Sequence, residues 1–133
     1  MIERRYYPEL DLVAHSVMGE LDLEEFRRAV EALYEMQPVP RLSLWNLRDA
    51  SLRQVTADRI RSVQARLYSR VRGREGGRTA VVVPADLDFG VARQYLAYSD
   101  DLDLPFEQNA FRTMEGAFSW LGVDGHLQED ELP

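Results

Sequence analysis

The chain has 133 residues, enough for one domain that buries a core without a disulfide or a structural metal. It contains no cysteine and no lysine, which excludes thiolate nucleophiles, cysteine metal sites, Schiff-base chemistry and a P-loop lysine. The net charge of −7 argues against nucleic-acid binding, and no apolar run reaches the roughly 20 residues of a membrane span. The first residues lack the apolar region of a signal peptide, so we expect a cytoplasmic protein. No motif in the sequence indicates a cofactor, and none is expected.

The charge is unevenly distributed along the chain. Residues 41–78 contain ten arginines and three acidic residues, so this segment carries +7 while the whole chain carries −7. Such segregation is typical of a solvated helix face whose arginines pair with acidic neighbours or with a second subunit. A patch for an anion or a nucleic acid is the alternative.

Hydrophobic periodicity predicts strands and helices in regular alternation. The predicted elements, in chain order, are strands at 2–7 and 12–20, a helix from 22 until Pro38, a strand at 41–47, a helix from 56 to about 72, a strand at 79–83, a helix from 86 or 88 to about 99, a weaker strand at 105–112 and a helix from 113 to 121. The order β-β-α-β-α-β-α-β-α indicates an α/β fold with a mixed sheet of about five strands. The first two strands are expected to form an antiparallel hairpin.

Helix caps and the end of the chain complete this description. Asp22 followed by Glu25 predicts a capping box, and Thr56 and Thr113 are placed as N-caps of later helices. Residues 1–123 are expected to form the domain. Residues 124–133 are rich in acidic side chains, and we expect a disordered tail there.

Two segments resemble a known family. The element order, with Gly19-Glu20-Leu21-Asp22 closing the second strand, resembles the STAS domain, named for sulfate transporters and anti-sigma factor antagonists. Residues 111–121 (Phe-Arg-Thr-Met-Glu-Gly-Ala-Phe-Ser-Trp-Leu) are similar to the final strand and helix of its SpoIIAA-like (STAS/SEC14) branch. The resemblance implies a protein-interaction module that is not an enzyme. That branch has also been likened to lipid-binding SEC14 folds.

The resemblance also implies a possible phosphorylation switch. In the antagonists, a Ser or Thr that begins the second helix is phosphorylated within an Asp-Ser-Ser-Gly pattern. Thr56 occupies the matching position here, but the Asp and Gly of the pattern are missing. Ser51, which follows Asp49 and Ala50, is the second candidate phosphoacceptor. The plain N-cap is the favoured explanation of Thr56, because Thr is a preferred residue at helix starts.

Two functional hypotheses follow from different parts of the chain. In the first, a partner protein binds the arginine-rimmed second helix through Arg59, Arg66 and Arg70. Self-association as a homodimer is expected under this hypothesis and under the ligand hypothesis that follows. In the second, a lipid-like or other small apolar ligand lies between the last two helices and the sheet. The expected lining of that pocket is Phe89, Tyr95, Tyr98 and Phe118, although aromatic residues in such numbers are also common in a simple core.

No catalytic or metal-binding residue is assigned from the sequence. Ser51, His15 and Asp49 supply the residue types of a hydrolytic triad, but the chain has no Gly-x-Ser-x-Gly elbow. His15 lies in the middle of the second predicted strand, where we expect a hydrogen-bonded sheet residue rather than a ligand.

Overall fold

The structure is a computed structural model that describes residues 1–68, 71 and 73–133. Its five strands are β1 (Ile2–Tyr7), β2 (Leu12–Glu20), β3 (Leu42–Ser51), β4 (Arg78–Val82) and β5 (Glu107–Phe111). The helices are α1 (Leu23–Tyr34), α2 (Ala57–Leu67), α3 (Asp86–Asp100) and α4 (Met114–Leu121), with short 3₁₀ turns at Pro8–Leu10 and Glu129–Glu131. The α/β fold and the element order predicted from the sequence are confirmed.

The strands form one sheet in the order β1-β2-β3-β4-β5. The β1 strand is antiparallel to β2, and all later neighbours are parallel. Because each parallel strand is added beside the previous one in the same direction, right-handed crossovers place α1, α2 and α3 on one face of the sheet. The α4 helix follows the last strand and covers the other face.

Two hydrophobic clusters correspond to the two faces. The cluster on the α4 face is formed mainly by Leu12, Ala14, Leu42, Leu44, Ala80, Val82, Met114, Ala117, Phe118 and Leu121. The cluster on the face of the other three helices is formed mainly by Val17, Leu23, Val30, Trp45, Leu47, Val63, Leu67, Val83 and Ala92. Neighbouring residues of β3 therefore alternate between the clusters, as side chains of a strand must. Within the described part of the chain, no helix has the length and hydrophobicity needed to cross a membrane.

Two local predictions need correction. The strand predicted at 41–47 instead continues to Ser51, because a register shift between Ser16 and Met18 lets β2 and β3 continue pairing. The capping box at the start of α1 forms only in part. Asp22 accepts a hydrogen bond from the backbone N–H of Glu24 at 3.0 Å, whereas Glu25 forms an ion pair with the N-terminal amine at 3.4 Å.

The acidic end of the chain packs against the domain, which differs from the disorder that its composition suggests. Leu127 is 2% exposed within the cluster under α4, and Leu132 packs against the same cluster. Arg5 and Tyr7 of β1 both donate to the backbone carbonyl of Glu131. The acidic side chains remain at the surface while two leucines anchor the segment, so composition alone misses the packing.

The turn before β4 requires a glycine at position 77. A Cβ atom there would lie 2.3 Å from the carbonyl oxygen of Arg41, which accepts hydrogen bonds from Arg74 and Arg78 and therefore has little freedom to move. Gly90 in α3 is different, since a Cβ there meets no atom within 4 Å.

We predict opposite effects of the same substitution at these two glycines. Gly77→Ala should lower the free energy of unfolding by about 3 kcal/mol, because backbone must shift to accept the methyl group. Gly90→Ala should raise it by about 0.5–1 kcal/mol, because alanine is the better residue inside a helix. Urea denaturation of both variants checks the pair. Equal effects would contradict the close approach at Gly77.

Candidate functional site

A cavity lies between the sheet and the layer formed by α1, α2 and α3. Its volume is about 80 Å³. The sheet supplies its floor, α1 and α3 supply most of its roof, and the connections that flank α2 close the sides. Its apolar lining is Leu21, Leu23, Phe26, Val30, Leu33, Trp45, Leu47, Leu52, Val55, Ile60, Val81, Val91, Ala92 and Phe106. The composition of this wall favours an apolar or amphipathic occupant.

One end of the cavity floor is polar. Ser43 of β3 and Thr79 of β4 are register partners, and Thr79 is in turn the register partner of Gln108 of β5. All three line the cavity, each as the second residue of its strand. The Ser43 side chain is fully buried, and its Oγ has no hydrogen-bond partner. A buried hydroxyl without a partner costs about 1–3 kcal/mol, so Ser43 is an unexpected residue for a purely structural floor.

A buried arginine closes this polar end. Arg74 is 2% exposed and lies over the Phe106 ring, with its guanidinium carbon 4.2 Å from the ring centroid. The guanidinium donates to the hydroxyls of Thr79 at 2.8 Å and Tyr34 at 3.4 Å. It also donates to three backbone carbonyls, those of Pro40, Arg41 and Arg78. All five of its N–H groups are therefore occupied. Among the described residues, no carboxylate forms an ion pair with Arg74.

Tyrosine hydroxyls line the wall between α2 and α3. The hydroxyls of Tyr68 and Tyr95 are hydrogen-bonded to each other, and both residues line the cavity. Burial raises the pKa of Tyr68 to about 12 and the pKa of Tyr95 well above its ordinary value. Gln64 holds the two helices together by donating to the Tyr95 carbonyl at 2.7 Å and to Ser99 Oγ at 2.6 Å. The tyrosines therefore stay neutral at physiological pH and act as hydrogen-bonding groups.

His15 lies beside this site and is buried without a hydrogen-bond partner among the described residues. It is 1% exposed and stacks on Trp45 of the cavity floor, with ring centroids 4.0 Å apart. Neither ring nitrogen has a hydrogen-bond partner, so the expectation of a hydrogen-bonded sheet histidine is wrong. Burial, assisted by the charge of Arg4, lowers the pKa of His15 from 6.5 to about 3. The ring is therefore neutral at physiological pH and contributes mainly by packing.

The four residues predicted to line a ligand pocket do not come together. Tyr95 lines the cavity, whereas Phe118 packs in the cluster on the opposite face of the sheet. Phe89 lies under the guanidinium of Arg112, and the Tyr98 hydroxyl accepts hydrogen bonds from Arg61 and Gln94. The predicted pocket between the last two helices fails because α3 and α4 lie on opposite faces. The cavity instead lies under the first three helices.

Both candidate phosphoacceptors lie near the start of α2. Thr56 is exposed and caps α2, its Oγ1 accepting from the N–H of Arg59 at 3.4 Å. Ser51 ends β3, and its Oγ accepts from the N–H of Arg53 at 3.4 Å. The N-cap role of Thr56 is confirmed, and its phosphorylation stays a prediction.

The arginines predicted to bind a partner lie in different surroundings. Arg59 is exposed, and its side chain forms no ion pair with the described residues. Arg66 is also exposed but lies 3.8 Å from the carboxylate of Glu24 on α1. Arg70 lies outside the described residues.

Sequence reasoning missed Ser43, Thr79, Gln108 and Arg74. The polar row has a signal only once the strand starts are known, because three of the four parallel strands, β3, β4 and β5, carry a polar second residue. For Arg74 the signal is weak, because its Gly-rich turn could hold a phosphate through backbone N–H and guanidinium groups but is typical of a surface connection, so its burial is not predicted. The described residues contain no group of three His, Asp or Glu side chains arranged to hold a metal.

Comparisons with protein-family models, curated proteins and solved structures gave no match to this chain. The class of protein is therefore given by the fold alone, and it is an α/β domain with a mixed five-stranded sheet. The STAS resemblance rests on the residues and the element order alone.

We predict that His15 makes the protein sensitive to mild acid. Its pKa is lower in the folded state than in the unfolded chain, so the unfolded chain binds more protons and stability falls as the pH drops below 6.5. Between pH 7.5 and pH 5.0 the loss from this residue should be about 2 kcal/mol. Urea denaturation at both pH values should show that His15→Phe removes this part of the loss.

The exposed Ser62 provides the control, because Ser62→Ala removes no titratable group and should leave the pH dependence unchanged. The same pH dependence in wild-type protein and His15→Phe would contradict the assignment.

Proposed function

We propose that this protein is a non-catalytic binding domain that holds a small apolar or amphipathic molecule in the cavity under α1, α2 and α3. The observation that carries the proposal is the cavity itself, about 80 Å³ with a wall that is mainly apolar away from its polar end. Native cores are close-packed and contain few voids larger than a water molecule. An engineered apolar cavity of about 150 Å³ binds benzene, so this volume suits a small ligand or one end of a longer one.

Access to the cavity is at the carboxyl ends of the strands. Leu21, Val55 and Val91 line this part of the cavity and are each partly exposed. They belong to three different elements, the connections before α1 and α2 and the first turns of α3. Ligands of open α/β sheets commonly enter at this edge. A molecule could therefore enter by displacing side chains, without opening of the sheet.

The STAS-like assignment belongs to this proposal. The sequential strand order and the junction at residues 19–22 support it, as does Gly19, whose φ of 79° ends β2 in the left-handed region. A small-molecule carrier or sensor agrees with the SEC14-like branch of that family. The surroundings of His15 support a non-enzymatic role, because a histidine buried against Trp45 is poorly placed for proton transfer to a substrate.

We predict that filling the cavity abolishes binding of apolar probes. Benzene and 1-hexanol should bind the wild-type protein and raise its Tm in a concentration-dependent manner. Ala92→Leu adds a large side chain at the cavity wall and should remove both effects. Isothermal titration calorimetry measures the loss directly.

A second alanine of α3 provides a matched control. Ala97 is exposed and does not line the cavity, so Ala97→Leu should bind both probes with wild-type affinity. Urea denaturation of both variants checks that each is folded. Binding of neither probe to wild-type protein would refute the proposal, as would unchanged binding to a folded Ala92→Leu variant.

A second candidate function is binding of a partner protein through α2. It is favoured by the exposed Arg59 side chain, which no described carboxylate neutralises, beside the exposed cap residue Thr56. A phosphate on Thr56 would meet the free N–H groups of the helix start and this positive charge. In this function the α2 surface would be a regulated docking site, independent of the cavity.

We predict that such a switch gives a covalent phosphate on protein purified from its source cells. The intact mass should then exceed the sequence mass by one phosphate, and the increase should disappear in Thr56→Ala or Ser51→Ala. Ser62→Ala, an exposed site on the same helix, is the control. A phosphate retained in both of the first two variants would contradict these phosphoacceptors.

A further inference from the structure

The polar end of the cavity presents hydroxyl groups whose protons have no acceptor. Thr79 Oγ1 and Tyr34 Oη each accept from Nη1 of Arg74, so the proton of each hydroxyl must point away from the guanidinium. Neither hydroxyl donates a hydrogen bond within the described part of the chain. Ser43 Oγ has no hydrogen-bond partner among the described residues, and Ser43 is the register partner of Thr79. Three O–H donors thus line the same end of the cavity without an acceptor.

Within the described residues, the charge at this end also lacks a counter-ion. Arg74 is buried, and its partners are carbonyl and hydroxyl oxygens that carry no net charge. Removing a guanidinium from water costs several kcal/mol, which hydrogen bonds to neutral groups compensate only in part. A nearby anion would add an attraction that is strong in such a poorly hydrated place. The site therefore combines donors without acceptors and a cation without an anion.

We infer that the ligand is a small monocarboxylate whose carboxylate accepts from Ser43, Thr79 and Tyr34 beside Arg74. This inference rests on the proposed function, because it names the chemical class of the molecule held in the same cavity. The hydrocarbon part extends along Trp45 and Val81 toward Leu21 and Val55 at the carboxyl ends of the strands. The cavity of about 80 Å³ holds the carboxylate and a few carbons, and a longer chain would emerge at that edge.

The inference distinguishes a carboxylate from a neutral group of the same shape. Hexanoate and hexanamide differ in charge but hardly in size, so they provide the matched probes. At pH 7.5 hexanoate should bind wild-type protein about tenfold or more tightly than hexanamide, as expected for hydrogen bonds to a charged group. Calorimetric titration gives both dissociation constants.

The hydroxyl donors are tested by conservative variants. Ser43→Ala removes a hydroxyl that has no partner in the folded protein, so it should not destabilise the fold. It should weaken hexanoate binding about tenfold and change benzene binding less than threefold. Tyr34→Phe should act in the same direction. Ser62→Ala is the exposed control and should leave the affinities for both probes unchanged.

The outcomes separate this inference from the function on which it rests. If benzene binds, and hexanoate binds no better than hexanamide, the cavity is an apolar site and the carboxylate inference is overturned. If Ser43→Ala and Tyr34→Phe both bind hexanoate as wild-type protein does, the assigned donors are wrong. If no probe binds, both the inference and the proposed function fail.

Discussion

The buried guanidinium of Arg74 organises the end of the molecule where the parallel strands begin. It joins the start of β3, through Pro40 and Arg41, to the start of β4, through Arg78 and Thr79. Burying this charge is tolerable only because every N–H of the guanidinium has a hydrogen-bond partner. Since those partners lie at the starts of β3 and β4, the two strands must begin side by side. Ser43 and Thr79 are consequently side by side. The polar end of the cavity is therefore a result of how the arginine is satisfied.

The two faces of the sheet have different roles. On the α4 face, alternate residues of three strands pack against α4 and against the terminal segment anchored by Leu127. On the opposite face, Ser43 and Thr79 stand where larger apolar residues would fill the space below α1 and α3. Small polar residues at these two places leave volume as well as unpaired hydroxyls. Both faces carry a buried hydrophobic cluster, and the space that would hold a ligand lies on the face with the small polar residues.

The sequence predicts the fold well because its signals are local and repeated. Thr56 and Thr113 cap their helices as the pattern indicates, through hydrogen bonds to the third residue that follows each cap. The pocket could not be placed in the same way, because sequence proximity of Tyr95 and Phe118 says nothing about which face of the sheet each one occupies. That choice depends on crossover handedness and on where the strand order ends. The polar row required knowledge of register, which became available only when the strand starts were aligned.

The position of the polar end also explains why the positive charge near a bound carboxylate would come from an arginine rather than from helix starts. In a parallel sheet with crossover helices, the helices end where the strands begin, so α1 presents the negative end of its dipole toward this edge. Backbone N–H groups of helix starts, which bind anions in many α/β proteins, lie at the opposite edge. A carboxylate at Ser43 and Thr79 would face unfavourable helix ends without a compensating cation. Arg74 supplies that cation, and burial keeps its field from being screened by water.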